Sequence, residues 1–172
     1  MIEGYPTANV GDTIDMWVGR DDTLDPDGRR MYGLVRFDLS SIPTTAVVQS
    51  ATLRMFYMNY ADWPNTLRAI SACLIATNWT ELGVNWSNKP STNGCQVQVT
   101  IAADTDWGWR EWDVKDYAQG WLRGTWPNRG IMLIGPATSS VDPYWRAFYT
   151  REGLYPPEIV INYLDSVAVS DP

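Results

Sequence analysis

Residues 31–57, MYGLVRFDLSSIPTTAVVQSATLRMFY, carry two alternating runs on either side of a polar corner. Tyr32 to Asp38 changes type from residue to residue, with Leu34 and Val35 beside the charged Arg36 and Asp38. Ser40-Ser41-Ile42-Pro43-Thr44 interrupts the run, because proline fixes φ and gives no hydrogen bond to a ladder. Ala51 to Tyr57 then alternates again. Leu53, Met55 and Tyr57 share one face, and Thr52, Arg54 and Phe56 share the other. Two period-two runs around a corner specify antiparallel β structure.

The pattern extends in both directions. Upstream, residues 12–19 alternate, with Ile14 and Met16 on one face. Downstream, strands are expected at Leu67 to Ile75, Gln96 to Ile101, Gly130 to Ile134, Trp145 to Thr150 and Glu158 to Leu164. Strand signals about every ten residues predict an all-β fold, an antiparallel β-sandwich of jelly-roll type. One helix stands out. Asp113 is placed to cap it, Val114, Tyr117, Ala118 and Trp121 fall at helical spacing, and Gly124 follows the segment 114–122. Residues 1–164 read as a single sandwich domain and 165–172 as a polar tail.

Composition narrows the function. The 172 residues carry a net charge of −7, which argues against a duplex nucleic-acid partner. No run approaches the roughly 18 apolar residues that membrane insertion needs. The opening MIEGYPTANVGD has neither a basic n-region nor an apolar h-region, so no secretory leader is expected. There is no His, which removes Ser-His and Cys-His catalysis and the commonest metal ligand. Among 20 acidic residues no pair is marked out for glycoside hydrolysis. The expectation is a non-catalytic protein without cofactor. The loop RDDTLDPDGRR (20–30) reads as a solvated hairpin, with Asp21, Asp22, Asp25 and Asp27 as a weak calcium candidate whose spacing departs from the EF-hand. Cys73 and Cys95 are either bridged or a pair of buried thiols.

Several segments together resemble the DNRLRE-domain family, whose members include alginate-binding carbohydrate-binding modules. They are Arg36-Phe37-Asp38-Leu39-Ser40-Ser41-Ile42-Pro43, Ser50-Ala51-Thr52-Leu53-Arg54, Trp79-Thr80-Glu81 with Val84-Asn85-Trp86 and Pro90, Trp112-Asp113-Val114 with Trp121 and Gly124, Pro127 to Ile131, and Thr150-Arg151-Glu152 with Pro157. The resemblance implies a β-sandwich without catalytic activity, of a kind usually appended to secreted or cell-surface proteins. The chain has only two Lys, Lys89 and Lys115, where a polyanionic ligand would favour more.

Ten Trp are the remaining lead, since Trp supplies large rigid contact area. Trp79, Trp86, Trp112 and Trp121 lie in the shared motifs and read as core or corner packing. Trp17, Trp63, Trp107, Trp109, Trp126 and Trp145 lie outside them. Trp63, Trp107, Trp109, Arg110, Trp126 and Trp145 are the candidate contacts for a glycan or a protein, and Trp107-Gly108-Trp109-Arg110 is the densest of these. Arg36, Asp38, Glu81, Arg151 and Glu152 read as a structural ion-pair network. Two functions fit. The first is a structural subunit on a virion surface, a capsid decoration or tail protein, oligomeric in its assembly and partnered by capsid or tail proteins, with glycan binding compatible. The alternative is a carbohydrate-binding module of an extracellular polysaccharide-degrading or cell-surface protein.

Overall fold

The computed structural model describes residues 1–21, 29–136 and 144–165. Among the described residues nine strands and one helix appear in chain order: β1 (Asp15–Asp21), β2 (Arg29–Val35), β3 (Val47–Ala61), β4 (Leu67–Leu74), β5 (Val97–Ala102), β6 (Gly108–Asp113), α1 (Lys115–Leu122), β7 (Ile131–Ile134), β8 (Tyr144–Tyr149) and β9 (Glu158–Leu164). Every strand pair is antiparallel. The path runs β5-β4-β7-β2-β1-β8-β3-β6, with β9 on β3. The all-β antiparallel architecture read from the sequence is the one observed, and the single path curls into two facing layers.

The curl happens within β2. Arg29, Arg30 and Met31 pair with β1, whereas Tyr32 to Val35 pair with β7. Gly19 sits at the branch, opposite Met31 on one side and Trp145 on the other. Its φ is +145°, and a Cβ there would lie 2.1 Å from the Tyr144 carbonyl oxygen. A Cβ on Gly135 would in turn stand 2.9 Å from the Gly19 Cα. Four chain segments thus meet where only glycine leaves room.

The layers bury one core between them. Val18, Leu53, Met55, Tyr57 and Phe148 face Ile70, Ala72, Leu74, Ile101, Ile131 and Leu133. The expected face of Leu53, Met55 and Tyr57 is fully buried. Polar atoms in this core reach across it: Trp112 Nε1 donates to the Ile70 carbonyl at 2.9 Å, and the Tyr57 hydroxyl to those of Ala102 and Asp104 at 3.0 and 3.1 Å. Arg146, completely buried, donates to the Thr66 and Ile101 carbonyls and pairs with buried Asp62 at 3.4 Å. Helix α1 lies against β3, where Gln119 donates to the Ala46 carbonyl and accepts from the Val48 amide. A second apolar cluster, Cys73, Ile75 and Met132, covers the outer side of the β4-β7-β2 layer.

Several boundaries differ from the sequence reading. Strand β2 begins at Arg29 and stops at Val35, short of Asp38, because the Asp38 carboxylate accepts the Ser40 amide at 2.9 Å in an Asx turn. Ile14 is exposed and precedes β1. Strand β3 is twice the expected length, since β9 and β8 occupy one edge in succession and β6 the other. Residues 108–113, absent from the strands expected above, form β6. Cys73 and Cys95 form a disulfide. The tail beyond residue 165 lies outside the described residues.

Three expectations follow from this packing. Gly19→Ala should lower unfolding free energy by about 3 kcal/mol, through overpacking and a disfavoured φ; a loss under about 0.5 kcal/mol in urea unfolding would rule out the branch-point constraint. Opening the disulfide with the Cys73→Ser/Cys95→Ser pair, which removes a link across a sequence separation of 22, should cost about 3 kcal/mol, and reductant should weaken only the unmutated protein. Burial pushes the Tyr57 phenol up from 10.0 to about 12. A raised folded pKa means that its contribution is complete below pH 10 and is lost as pH climbs toward 12. Alkaline unfolding of Tyr57→Phe should show a smaller loss across that window, from a neutral-pH stability lower by about 1 kcal/mol.

Candidate functional site

Beyond Gly19 and Met31, β1 and β2 part company. Residues 15–18 keep β8 as their neighbour, and residues 32–35 keep β7, so the edges that face each other are unpaired. The gap is a groove of about 530 Å³, within the size range of ligand sites. Its floor is apolar, with Met16, Val35 and Phe37. Gly33 permits this: a Cβ there would lie 2.5 Å from the Met16 sulfur.

Two tryptophans line the groove. Trp17 comes from β1, on the side of the strand opposite buried Val18, and remains exposed. Trp145 of β8 stacks against it with ring centres 5.0 Å apart and planes 7° from parallel. The Trp17 Nε1 donates to the Asp15 carboxylate at 2.9 Å, which fixes the ring's rotation. Trp79 comes from the β4–β5 connection, with its Nε1 donating to the Arg129 carbonyl at 2.7 Å. The Arg36 guanidinium lies over the Trp79 ring, 5.2 Å from its centre.

Charge is distributed around the rim in both signs. Arg151 joins Glu81 at 2.9 Å and Glu152 at 2.8 Å; the adjacent carboxylates hold its guanidinium above the ordinary arginine range. Asn9 ties the 79–84 segment down by donating to the Glu81 and Val84 carbonyls at 2.7 and 2.6 Å. Thr150 donates to the Thr13 carbonyl at the base of β1. The groove therefore offers aromatic surface, a guanidinium donor and carboxylate acceptors to one ligand. No group of three or more Cys, Asp or Glu side chains able to hold a metal occurs among the described residues.

The structure disperses the residues singled out from sequence. Alternation along β6 turns Trp109 outward, where Phe56, Tyr155 and the Arg54 guanidinium surround it. Arg110 turns the other way, over the Tyr57 ring, and pairs with Asp106. Trp107 packs on Tyr57 and Tyr60. Trp63 stands exposed in the β3–β4 loop. Trp126 fills the space over Gly120 of α1, with ring carbons where a Cβ would sit, and so belongs to packing. None of the six lines the groove; Trp145 touches it only indirectly, as backing for Trp17. The expected ion-pair network is also divided. Arg151, Glu81 and Glu152 are joined, but Arg36 lies on Trp79 and Asp38 caps its own turn, so neither is part of it. Of the calcium candidates, Asp22, Asp25 and Asp27 lie outside the described residues, and Asp21 ends β1.

Trp17, Trp79 and Asp15 were not singled out as site residues. Trp17 was legible as an outward position on an alternating strand. Trp79 reads as packing from its motif, and only the fold reveals that its ring is also a groove wall.

The model of a sequence family described as carbohydrate-binding module family 96 matches residues 2–163, nearly the whole chain. No curated protein matches it significantly. The match supports a carbohydrate-binding family; the narrower DNRLRE name rests on the sequence motifs alone.

Proposed function

We propose that this chain, which belongs to carbohydrate-binding module family 96, binds a polysaccharide in the groove between β1 and β2. Members of such a family are binding modules, which fits the mixed rim better than a reaction centre. The observation that carries the reading is Trp17, an exposed indole locked in orientation by Asp15 and Trp145 at the groove wall. Sugar rings present apolar C–H faces and polar edges. An indole takes the face, and guanidinium and carboxylate groups take the hydroxyls, which both donate and accept. Fixing the ring beforehand reduces the ordering cost of binding.

Family membership favours the module over the virion subunit, for which nothing in the fold speaks. It also favours action outside the cell or at its surface. The Cys73–Cys95 disulfide suits an oxidising medium of that kind.

Affinity electrophoresis through gels containing different polysaccharides tests this reading. The protein should be retarded by at least one of them, and Trp17→Ala should weaken that interaction by about 2 kcal/mol, roughly thirtyfold, with unchanged circular dichroism. Trp63→Ala, which removes a more exposed indole away from the groove, should bind within about twofold of the unmutated protein. Retention of binding by Trp17→Ala, or its loss in Trp63→Ala, would refute the assignment of the groove.

A further inference from the structure

We infer that the glycan site continues beyond the groove into a second pocket at the corner between β2 and β3, where the Trp121 indole N–H and the Asp38 carboxylate receive a further ring of the same chain; this rests on the groove being the glycan site. The pocket, of about 620 Å³, lies between the 36–44 corner, the end of α1 and Asn128. Arg36 and Phe37 line both this pocket and the groove. The two spaces therefore adjoin, and exposed Arg36 stands at their common border.

An orphaned donor marks the pocket. Trp121, which lines it, is only 8% exposed, and its Nε1 is buried without a hydrogen-bond partner among the described residues. Buried indole N–H groups ordinarily find an acceptor, because an unmade hydrogen bond leaves the desolvation cost uncompensated. The Nε1 groups of Trp17, Trp79 and Trp112 all have one. A ligand oxygen entering the pocket supplies what Trp121 lacks.

The neighbouring groups complement that donor. Asp38 is exposed, and the Ser40 amide at 2.9 Å and the Ser40 hydroxyl hold its carboxyl below the usual carboxylate range, so it stays an acceptor. Leu39 and Ile42 add apolar lining. A sugar ring presents both kinds of surface, with hydroxyls that donate to Asp38 and accept from Trp121. The lining is fixed in advance. Asn128 donates to the Phe37 carbonyl at 2.8 Å and accepts from the Gly130 amide at 3.2 Å, and the Ile42 amide donates to the Leu39 carbonyl at 3.0 Å. Such pre-ordering lowers the cost of binding. A chain that lies on Trp17 and passes Arg36 thus meets a further subsite, and long segments are favoured over short ones.

Isothermal titration calorimetry and the indole N–H spectrum decide the matter together. The probes are trimers and hexamers of β-linked glucose, mannose and xylose and of alginate. At least one hexamer should bind about fivefold more tightly than its trimer, the worth of one net hydrogen bond. That hexamer should move the Trp121 N–H signal downfield, whereas the trimer should leave it in place. Trp121→Phe, which keeps a ring and loses the donor, should weaken the hexamer about fivefold and leave the trimer within about twofold. Trp17→Ala should weaken both. The spectrum needs no substitution, so it decides even if Trp121→Phe lowers stability. If the Trp121 signal stays in place at hexamer saturation, the second subsite is overturned; loss of binding in Trp17→Ala would then leave the groove reading standing. If no oligomer of any series binds, the groove reading fails and the subsite with it.

Discussion

The close approach of backbones at Gly19 is the constraint on which the rest depends. Here β1 meets β2 and β8, and Gly135 presses on its Cα with no side chain between. Because the contact is so tight, β2 can pair with β1 for three residues and then turn away to β7. The turn curls a single path of strands into two layers, which gives the buried faces of β3, β4, β7 and β8 something to pack against. The same turn leaves the edges of β1 and β2 apart. Fold and groove are thus consequences of one branch point.

What surrounds the gap gives it the shape of a groove. Sheet edges are usually blunted by charge or covered. Here the N-terminal segment, the 79–84 segment and Arg151 surround the opening. Asn9, Thr150 and the Arg151–Glu81 pair tie those segments together. Trp17 is steadied on two sides, by a hydrogen bond in its plane and by the Trp145 ring on its face. The outward aromatic group of Phe56, Trp109, Tyr149 and Tyr155 packs within itself, with Phe56 and Tyr155 stacked at 4.2 Å. That arrangement uses ring faces internally, whereas Trp17 stands at an open groove.

Sequence alone carried the fold class and little of the site. Period-two alternation placed Leu53, Met55 and Tyr57 in the core, because one face of a strand must be dry. Helical spacing found Tyr117, Ala118 and Trp121, though the helix proper starts at Lys115. Alternation could not reveal that β2 changes partners midway, since both halves look alike along the chain. It did not expose β6 either, where four polar or small residues dilute the pattern around Trp109 and Trp112. Density of Trp pointed to residues 107–110, yet alternation sends Trp109 and Arg110 to opposite faces. The groove draws on residues from positions 1 to 157, a combination visible only once the strands are ordered in space.

On the proposed reading, Trp17 and Trp79 face the sugar in the groove while the other indoles do not. Each of the ten Trp gives one indole N–H resonance, so a two-dimensional NMR titration with an oligosaccharide reads all of them together. The Trp17 and Trp79 signals should move along saturating curves with a common Kd, while those of buried Trp112 and exposed Trp63 stay in place. Saturable shifts confined to Trp63, Trp107 or Trp109, with Trp17 and Trp79 unmoved, would contradict it.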